Sequence, residues 1–320
     1  MGTSVGASLE KGEVCNIGGV KFVSPDDFIE MNSQIFEPIK NDEKFSAIYE
    51  YLLGTCQKSD LIALVKIKNR SADVSKEIAS EVMKRIYAIV QFLLPTCGNE
   101  YSFFGTLGEE YLDQRLSFLL AVDSVDESIP KSIKVDTNRN YFVRKGEINL
   151  LAEISVLQQT KVWFNRCHAI IEKFINGDNL TSFEERVWTA LYWLGAAMNE
   201  KEISPLIIQY ATCLEALFNN QEGGISQQVP EFTAHVVGNN KKEKMEVYQT
   251  IRQLYKLRSD AVHGRSMQEN LDDEFLFNVK EFCNLAVFHM AVFSGVKDFP
   301  SPGGYKGFVN YILEEHRFNQ

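Results

Sequence analysis

Two strand-like apolar runs and one long helical pattern mark the first part of the chain. The runs Val20–Val23 and Leu61–Ile67 are short and continuous, which predicts buried strands. From Ser75 to Leu93 apolar residues instead recur every three or four positions, which predicts an amphipathic helix of about five turns, closed by Pro95. Strands followed by a long helix indicate an α+β arrangement.

The stretch over residues 101–148 consists of short aromatic or branched runs separated by turn residues, which is typical of a small sheet. A further helix is predicted over residues 42–53. These patterns together predict an α+β module of unknown ligand over residues 25–150, preceded by a flexible glycine-rich arm over residues 1–24.

The remainder of the chain shows only helical periodicity, which predicts an all-α helical bundle over residues 151–296. Thr181 or Ser182 is suited to cap one of its helices, and Asp272 or Asp273 another. A loop and short helix are predicted over residues 297–320. The predicted long helices cover roughly 155–176, 182–199, 204–219, 241–260 and 272–294.

Composition narrows the class of protein. With 320 residues, 45% of them apolar, the chain can bury a sizeable core. No secretory signal or membrane span is evident, so a cytoplasmic location is expected. The six cysteines lack the spacing of a zinc site, and neither a metal nor a cofactor is predicted. The net charge of −10 argues against general coating of nucleic acid, which needs excess Lys and Arg.

The chemically richest stretch is Tyr255–Gly264, with the sequence YKLRSDAVHG. Arg258 lies seven residues after Ile251 and therefore returns to the apolar stripe of its helix. A guanidinium on a packing face requires a carboxylate, a phosphate or a partner chain. Glu215, in an otherwise apolar helix, is the carboxylate that could pair with it.

His263 precedes Gly264, which is the residue expected just after a helix C-terminus. If the helix ends near Val262, His263 can fold back along the axis and address the same volume as Arg258. The macrodipole at that end favours protonated histidine, which suits a general acid. The alternative is ordinary helix-ending chemistry, in which Ser259 and Asp260 are only polar turn formers.

The string Tyr-Lys-Leu-Arg-Ser-Asp-Ala-Val-His-Gly resembles the hallmark of the HEPN superfamily, in particular its Apea-like branch, in which His follows Arg after four to six residues. The segment Cys213–Phe218 is similar to an earlier helix of that branch. The resemblance covers roughly residues 155–294. It implies an all-α HEPN-type helical bundle, of a kind that often forms homodimers, and here this bundle follows the α+β N-terminal module that the residue patterns predict.

Many members of that superfamily are metal-independent ribonucleases of defence and toxin–antitoxin systems, so the resemblance implies RNA as substrate and a regulatory or antitoxin protein as partner. His263 would act as acid and base, and Arg258 would hold the phosphoryl charge. Ser259 and Asp260 would assist, and Glu215 and Tyr255 would support the site. The chain departs from several active branches, which have Asn, Asp or His directly after the arginine, where Ser259 stands.

Three basic residues around the motif, Arg252, Lys256 and Arg265, are candidates for nucleic-acid binding, although such a run is also typical of a solvated helix face. Other HEPN domains are inactive, and the alternative function is a non-catalytic dimerisation or binding module for a nucleotide, nucleic acid or partner protein. Geometry separates the two. Convergence of Arg258 and His263 on an open cleft, especially across a two-fold axis, favours catalysis, whereas an Arg258 that points into the bundle core and bonds Glu215 while His263 faces away favours the module.

Overall fold

The computed structural model describes the chain in segments. These segments are residues 2–4, 9, 11–41, 50, 53–54, 61–68, 70–96, 115–121, 132–138, 158, 161–198, 200, 202–219, 224–265, 271–295 and 305–318. The described residues are predominantly helical and divide into two compact units. The first unit comprises residues 1–83 and 90–160, and the second comprises residues 84–89 and 161–320.

Six strands and ten helices occur within the described segments. The strands are β1 (Gly2–Ser4), β2 (Val14–Ile17), β3 (Val20–Val23), β4 (Leu61–Val65), β5 (Arg115–Ala121) and β6 (Ser132–Asn138). The helices are α1 (Pro25–Met31), α2 (Ser33–Lys40), α3 (Ala72–Thr96), α4 (Val162–Asn176), α5 (Ser182–Met198), α6 (Ile203–Phe218), α7 (Ile225–Val237), α8 (Lys241–Val262), α9 (Asp273–Phe293) and α10 (Tyr305–Phe318).

The first unit contains an antiparallel sheet in the order β1-β4-β3-β2. Phe22 at its centre faces Cys15 on one neighbouring strand and Ala63 on the other, and all three side chains are buried. Burial of alternate residues fixes the register of such a sheet. The predicted strand Val20–Val23 is confirmed as β3, whereas β1 and β2 place residues 2–4 and 14–17, which were predicted to lie in the flexible arm over residues 1–24, in the same sheet.

A second antiparallel pair joins β5 to β6, with Arg115 opposite Asn138 and Ala121 opposite Ser132. The pair lies inside the stretch predicted as a small sheet, whereas the aromatic runs at 101–104 and 141–143 lie outside the described residues. Most of the helix predicted over residues 42–53 lies outside them as well. The combination of strands and helix α3 agrees with the predicted α+β character of this part of the chain.

The second unit is a helical bundle organised around α9. This helix packs against α4, α5, α6, α7 and α8, and its residues Val279, Cys283 and Val287 are fully buried. By length and composition, α9 is the single helix within the described segments that could cross a membrane, but half of its most apolar window is buried in the bundle. The buried half shows α9 acting as the central packing surface of the unit.

Five helices of the bundle follow the predicted pattern, and α7 does not. Pro230 lies inside α7, and an interior proline removes one backbone hydrogen bond, which is why the pattern predicted no helix there. The helix forms nevertheless because it packs against α6, α8 and α9. Tertiary burial has outweighed local propensity in this segment.

The predicted helix caps are confirmed. The hydroxyl of Thr181 accepts from the Glu184 amide at 3.2 Å, and the Glu184 carboxylate accepts from the Thr181 amide at 2.9 Å. This reciprocal arrangement is a capping box at the start of α5. Asp272 caps α9 by accepting from the Phe275 amide at 2.7 Å.

Gly195 provides a test of the packing in the second unit. A Cβ atom at this position of α5 would overlap the backbone carbonyl of Lys84. We expect Gly195→Ala to lower the free energy of unfolding by about 1–3 kcal/mol, because backbone cannot move aside as a flexible side chain does. The control is Gly54→Ala, where the added methyl group meets no described atom within 4 Å. Denaturant unfolding of both variants measures the difference, and equal stabilities would contradict the packing.

Candidate active site

The motif Tyr255–Gly264 occupies the last two turns of α8 and its C-terminal cap. The helix ends at Val262, two residues beyond the predicted range of 241–260, and Gly264, the predicted residue after the helix end, adopts a left-handed backbone with φ of 66°. The Gly264 amide donates to the Ala261 carbonyl at 3.2 Å, and the Arg265 amide donates to the Asp260 carbonyl at 2.8 Å. These two bonds form a Schellman motif, which satisfies the carbonyls that the helix end would leave unpaired.

Arg258 pairs with Glu215 of α6 through one edge of its guanidinium. Nε lies 3.2 Å from Oε1, and Nη2 lies 3.5 Å from Oε2. The contact between Nε and Oε1 is an ion pair without hydrogen-bond alignment. Among the described residues the guanidinium has no other bonded partner, so the edge that carries Nη1 remains available to a ligand. The Arg258 side chain is 36% exposed, compared with 16% for Glu215.

The electrostatics of Glu215 are dominated by its burial. Burial raises the pKa of this carboxyl above its ordinary value, while Arg258 and the Tyr255 hydroxyl act in the opposite direction. Its neighbours Leu214 and Leu217 are fully buried. The guanidinium of Arg258 is therefore the counter-charge of a carboxylate that is costly to ionise at this place.

Tyr255 is buried beside the pair formed by Arg258 and Glu215. It is 6% exposed, and its hydroxyl donates to the Ala211 carbonyl of α6 at 3.4 Å. Burial, reinforced by the neighbouring Glu215 charge, raises the pKa of Tyr255 well above its ordinary value. On the facing helix α9, the Cys283 thiol donates to the Tyr210 carbonyl at 3.9 Å. Helices α6, α8 and α9 are thus joined by polar contacts in the interior next to the motif.

His263 lies on the surface at the end of the helix. Its amide still donates to the Ser259 carbonyl at 3.1 Å, so the backbone keeps the helical direction through this residue. His263 follows Arg258 by five helical positions, which places their side chains about 140° apart around the axis. Within the described segments the imidazole bonds to no residue. The two side chains therefore leave α8 on different sides in a single chain.

The remaining predicted site residues lie on the surface of α8 or beyond its cap. Ser259 is exposed, and the Asp260 carboxylate forms an ion pair with Arg265 at 3.5 Å. Arg252 and Lys256 are exposed at the spacing that continues through Ser259 to His263. Positions spaced by three or four residues share one face of a helix, so these side chains form a continuous stripe that ends at the histidine.

Arg186 of α5 was not among the site residues predicted from the sequence. Its Nη1 donates to the carbonyls of Ala216 at 3.2 Å and Asn219 at 3.0 Å, next to the turn that carries Glu215. The sequence feature that could have pointed to Arg186 is the absence of glycine after Phe218. A helix that ends without a left-handed residue needs hydrogen-bond donors from elsewhere for its last carbonyls.

Comparison of the chain with protein-family models, with curated proteins and with solved structures finds no match.

The pairing of Arg258 with Glu215 can be measured by a double-mutant cycle of Glu215→Gln, Arg258→Met and the double variant. We expect a coupling energy of about 1–3 kcal/mol in the free energy of unfolding, because each single variant leaves one half-buried polar group unpaired. The control cycle uses the more exposed pair Asp260 and Arg265, for which about 0.5 kcal/mol or less is expected. Equal couplings would show that the buried pair has no special role.

Proposed function

We propose that the second unit is a HEPN-type, metal-independent endoribonuclease in which Arg258 and His263 carry the chemistry. The observation that supports this most is the orientation of Arg258. Glu215 binds one edge of its guanidinium and leaves the other free, on the last turn of a helix whose cap is an exposed histidine. Arginine with a free planar edge is suited to bind a phosphate through two donors.

The reaction requires only groups of this chain and of the RNA. The 2′-oxygen attacks the adjacent phosphorus, the P–O5′ bond breaks, and a 2′,3′-cyclic phosphate and a free 5′-hydroxyl result. As base, His263 takes the proton from the 2′-hydroxyl, and as acid it gives that proton to the leaving 5′-oxygen. Arg258 stabilises the negative charge that develops on the non-bridging oxygens. Ser259 and Asp260 lie beside it on the same turn.

The site is composed from two copies of the chain in this proposal. Arg258 and His263 leave α8 on different sides, so convergence on one phosphate is best achieved by Arg258 of one copy and His263 of another. Two large apolar side chains on the neighbouring helices α8 and α9 are exposed: Val262, the last residue of α8, is 57% exposed, and Phe277, in the second turn of α9, is 59% exposed. Exposed apolar groups of this size on neighbouring helices suit contact with a second protein surface.

The exposed stripe of α8 supports RNA as the ligand. Arg252 and Lys256 lie about 16 Å and 10 Å from His263 along the helix axis, and Arg265 follows the cap. These cations can contact successive phosphates of a single strand on an otherwise acidic protein.

One observation favours a second function. In the single chain Arg258 is bonded to the Glu215 carboxylate and His263 leaves α8 on a different side, which is the arrangement expected of a non-catalytic HEPN module that binds a nucleotide, a nucleic acid or a partner protein. Such a module would bind RNA without cleaving it. Binding and cleavage therefore have to be measured separately.

The catalytic proposal predicts that wild-type protein cleaves RNA in the presence of EDTA and leaves cyclic phosphate ends. We expect His263→Ala and Arg258→Ala each to lower the cleavage rate by at least about 100-fold, because each removes a group that acts in the transition state. End-group analysis of the cleaved RNA and single-turnover rates measure both effects.

The matched control is His168→Ala, which removes a histidine of α4 and should leave the rate unchanged. Circular dichroism establishes that all variants are folded. Cleavage by both motif variants at the wild-type rate would exclude the catalytic proposal, and RNA binding without cleavage would favour the second function.

The two-copy site predicts that Phe277→Asp separates the copies and abolishes cleavage together, since a carboxylate in an apolar contact is costly. The control is Met245→Asp, at an equally exposed apolar position nearer the start of α8. Sedimentation velocity and cleavage assays are the measurements. A monomeric Phe277→Asp variant with the wild-type rate would contradict a shared site.

A further inference from the structure

The C-terminus of α6 is held from outside the helix. Asn219, which caps it, has a φ of −72° and is not left-handed, so no Schellman motif closes this end. Arg186 of α5 supplies the missing donors: its Nη1 lies 3.0 Å from the Asn219 carbonyl oxygen, 3.2 Å from that of Ala216 and 3.5 Å from that of Leu217. A cation at a helix C-terminus is also favoured by the macrodipole.

Arg186 is in turn held by the C-terminal helix α10. Its guanidinium carbon lies 3.7 Å from the centre of the Tyr305 ring, a close cation–π contact. Tyr305 is 7% exposed, and it packs against Phe183 of α5 and against Phe308 of α10 itself. The aromatic contacts seat the first turn of α10 over the arginine.

The Tyr305 hydroxyl does not take part in the contact with Arg186 and Phe183. It is buried and has no hydrogen-bond partner among the described residues. The ring is therefore the functional part of the side chain, because it stacks on the cation and fills the space beside Phe183. A phenylalanine would keep both contacts.

We infer that Arg186, clamped by Tyr305, is a positioning residue that holds the last turn of α6 and thereby aims Glu215 and Arg258. Glu215 directly precedes Ala216, whose carbonyl Arg186 binds, and the Glu215 carbonyl accepts from the Asn219 amide at 3.0 Å. A displacement of this turn moves the carboxylate that fixes the guanidinium. Helix α10 thus stabilises the site through three successive contacts, without any contact of its own with Arg258 in the described structure.

The inference rests on the proposed function only for its cleavage readout. The first measurement is independent of it and uses the Arg258 Nε–H signal in protein labelled with ¹⁵N-arginine, assigned with Arg258→Lys. We expect Tyr305→Leu and Arg186→Met to shift this signal and to accelerate its exchange with water. Tyr305→Phe should leave it as in the wild type, because the ring is retained.

The second measurement is steady-state cleavage. We expect Tyr305→Leu to lower kcat on the order of tenfold with KM unchanged, since small misplacements of a catalytic group reduce the rate strongly. Tyr305→Phe should restore kcat. Arg186→Lys keeps the positive charge at the helix end and serves as the second arginine variant if Arg186→Met does not fold.

The outcomes separate the two proposals. Wild-type protein that cleaves no RNA, with an Arg258 signal that responds to Tyr305→Leu, would reject the ribonuclease and keep the positioning role. Variants that lose thermal stability while the Arg258 signal and kcat stay at wild-type values would show that Arg186 is only a helix cap and would overturn the inference.

Discussion

The second unit depends on how a guanidinium is accommodated at the edge of an apolar bundle. Arg258 lies on the packing stripe of α8, and a charge there is tolerated only with a counter-charge. Glu215 provides it, with Nε and Oε1 3.2 Å apart. Because burial also makes Glu215 costly to ionise, each of the two charges stabilises the other. The pair joins α6 to α8, and in the proposed mechanism the guanidinium edge that Glu215 does not bind would hold the phosphate.

At the end of α8 the side chains of Arg258 and His263 lie on different sides of the helix. The Schellman motif at Gly264 ends the helix, yet the His263 amide remains hydrogen-bonded to Ser259, so the histidine keeps its helical direction away from Arg258. A reaction that needs both groups at one phosphate therefore favours two copies of the chain. In the proposed mechanism the exposed Val262 and Phe277 would take part in such a contact, which would link assembly to activity.

Local patterns predicted the features that local physics determines. The glycine after α8 and the cap at Thr181 follow from local patterns, and Glu215, the partner of Arg258 43 residues away, follows from the cost of an unpaired charge. Helix α7 was missed because Pro230 breaks the local signal while its packing supplies the stability. Arg186 was missed because its partners are backbone carbonyls of another helix and an aromatic ring, which no residue pattern marks. In the proposed mechanism the use of the motif depends on a ligand and on a second copy, which no local pattern encodes.

In the proposed mechanism Arg258 and His263 engage the same phosphate. This shared engagement is tested most directly by titrating ¹⁵N-labelled protein with an uncleavable single-stranded RNA that carries a 2′-deoxy substitution at the scissile position. We expect the Arg258 Nη and His263 ring signals to shift together along one saturation curve. We also expect Phe277→Asp to abolish this joint response. Independent responses, or RNA binding that leaves both signals unchanged, would contradict it.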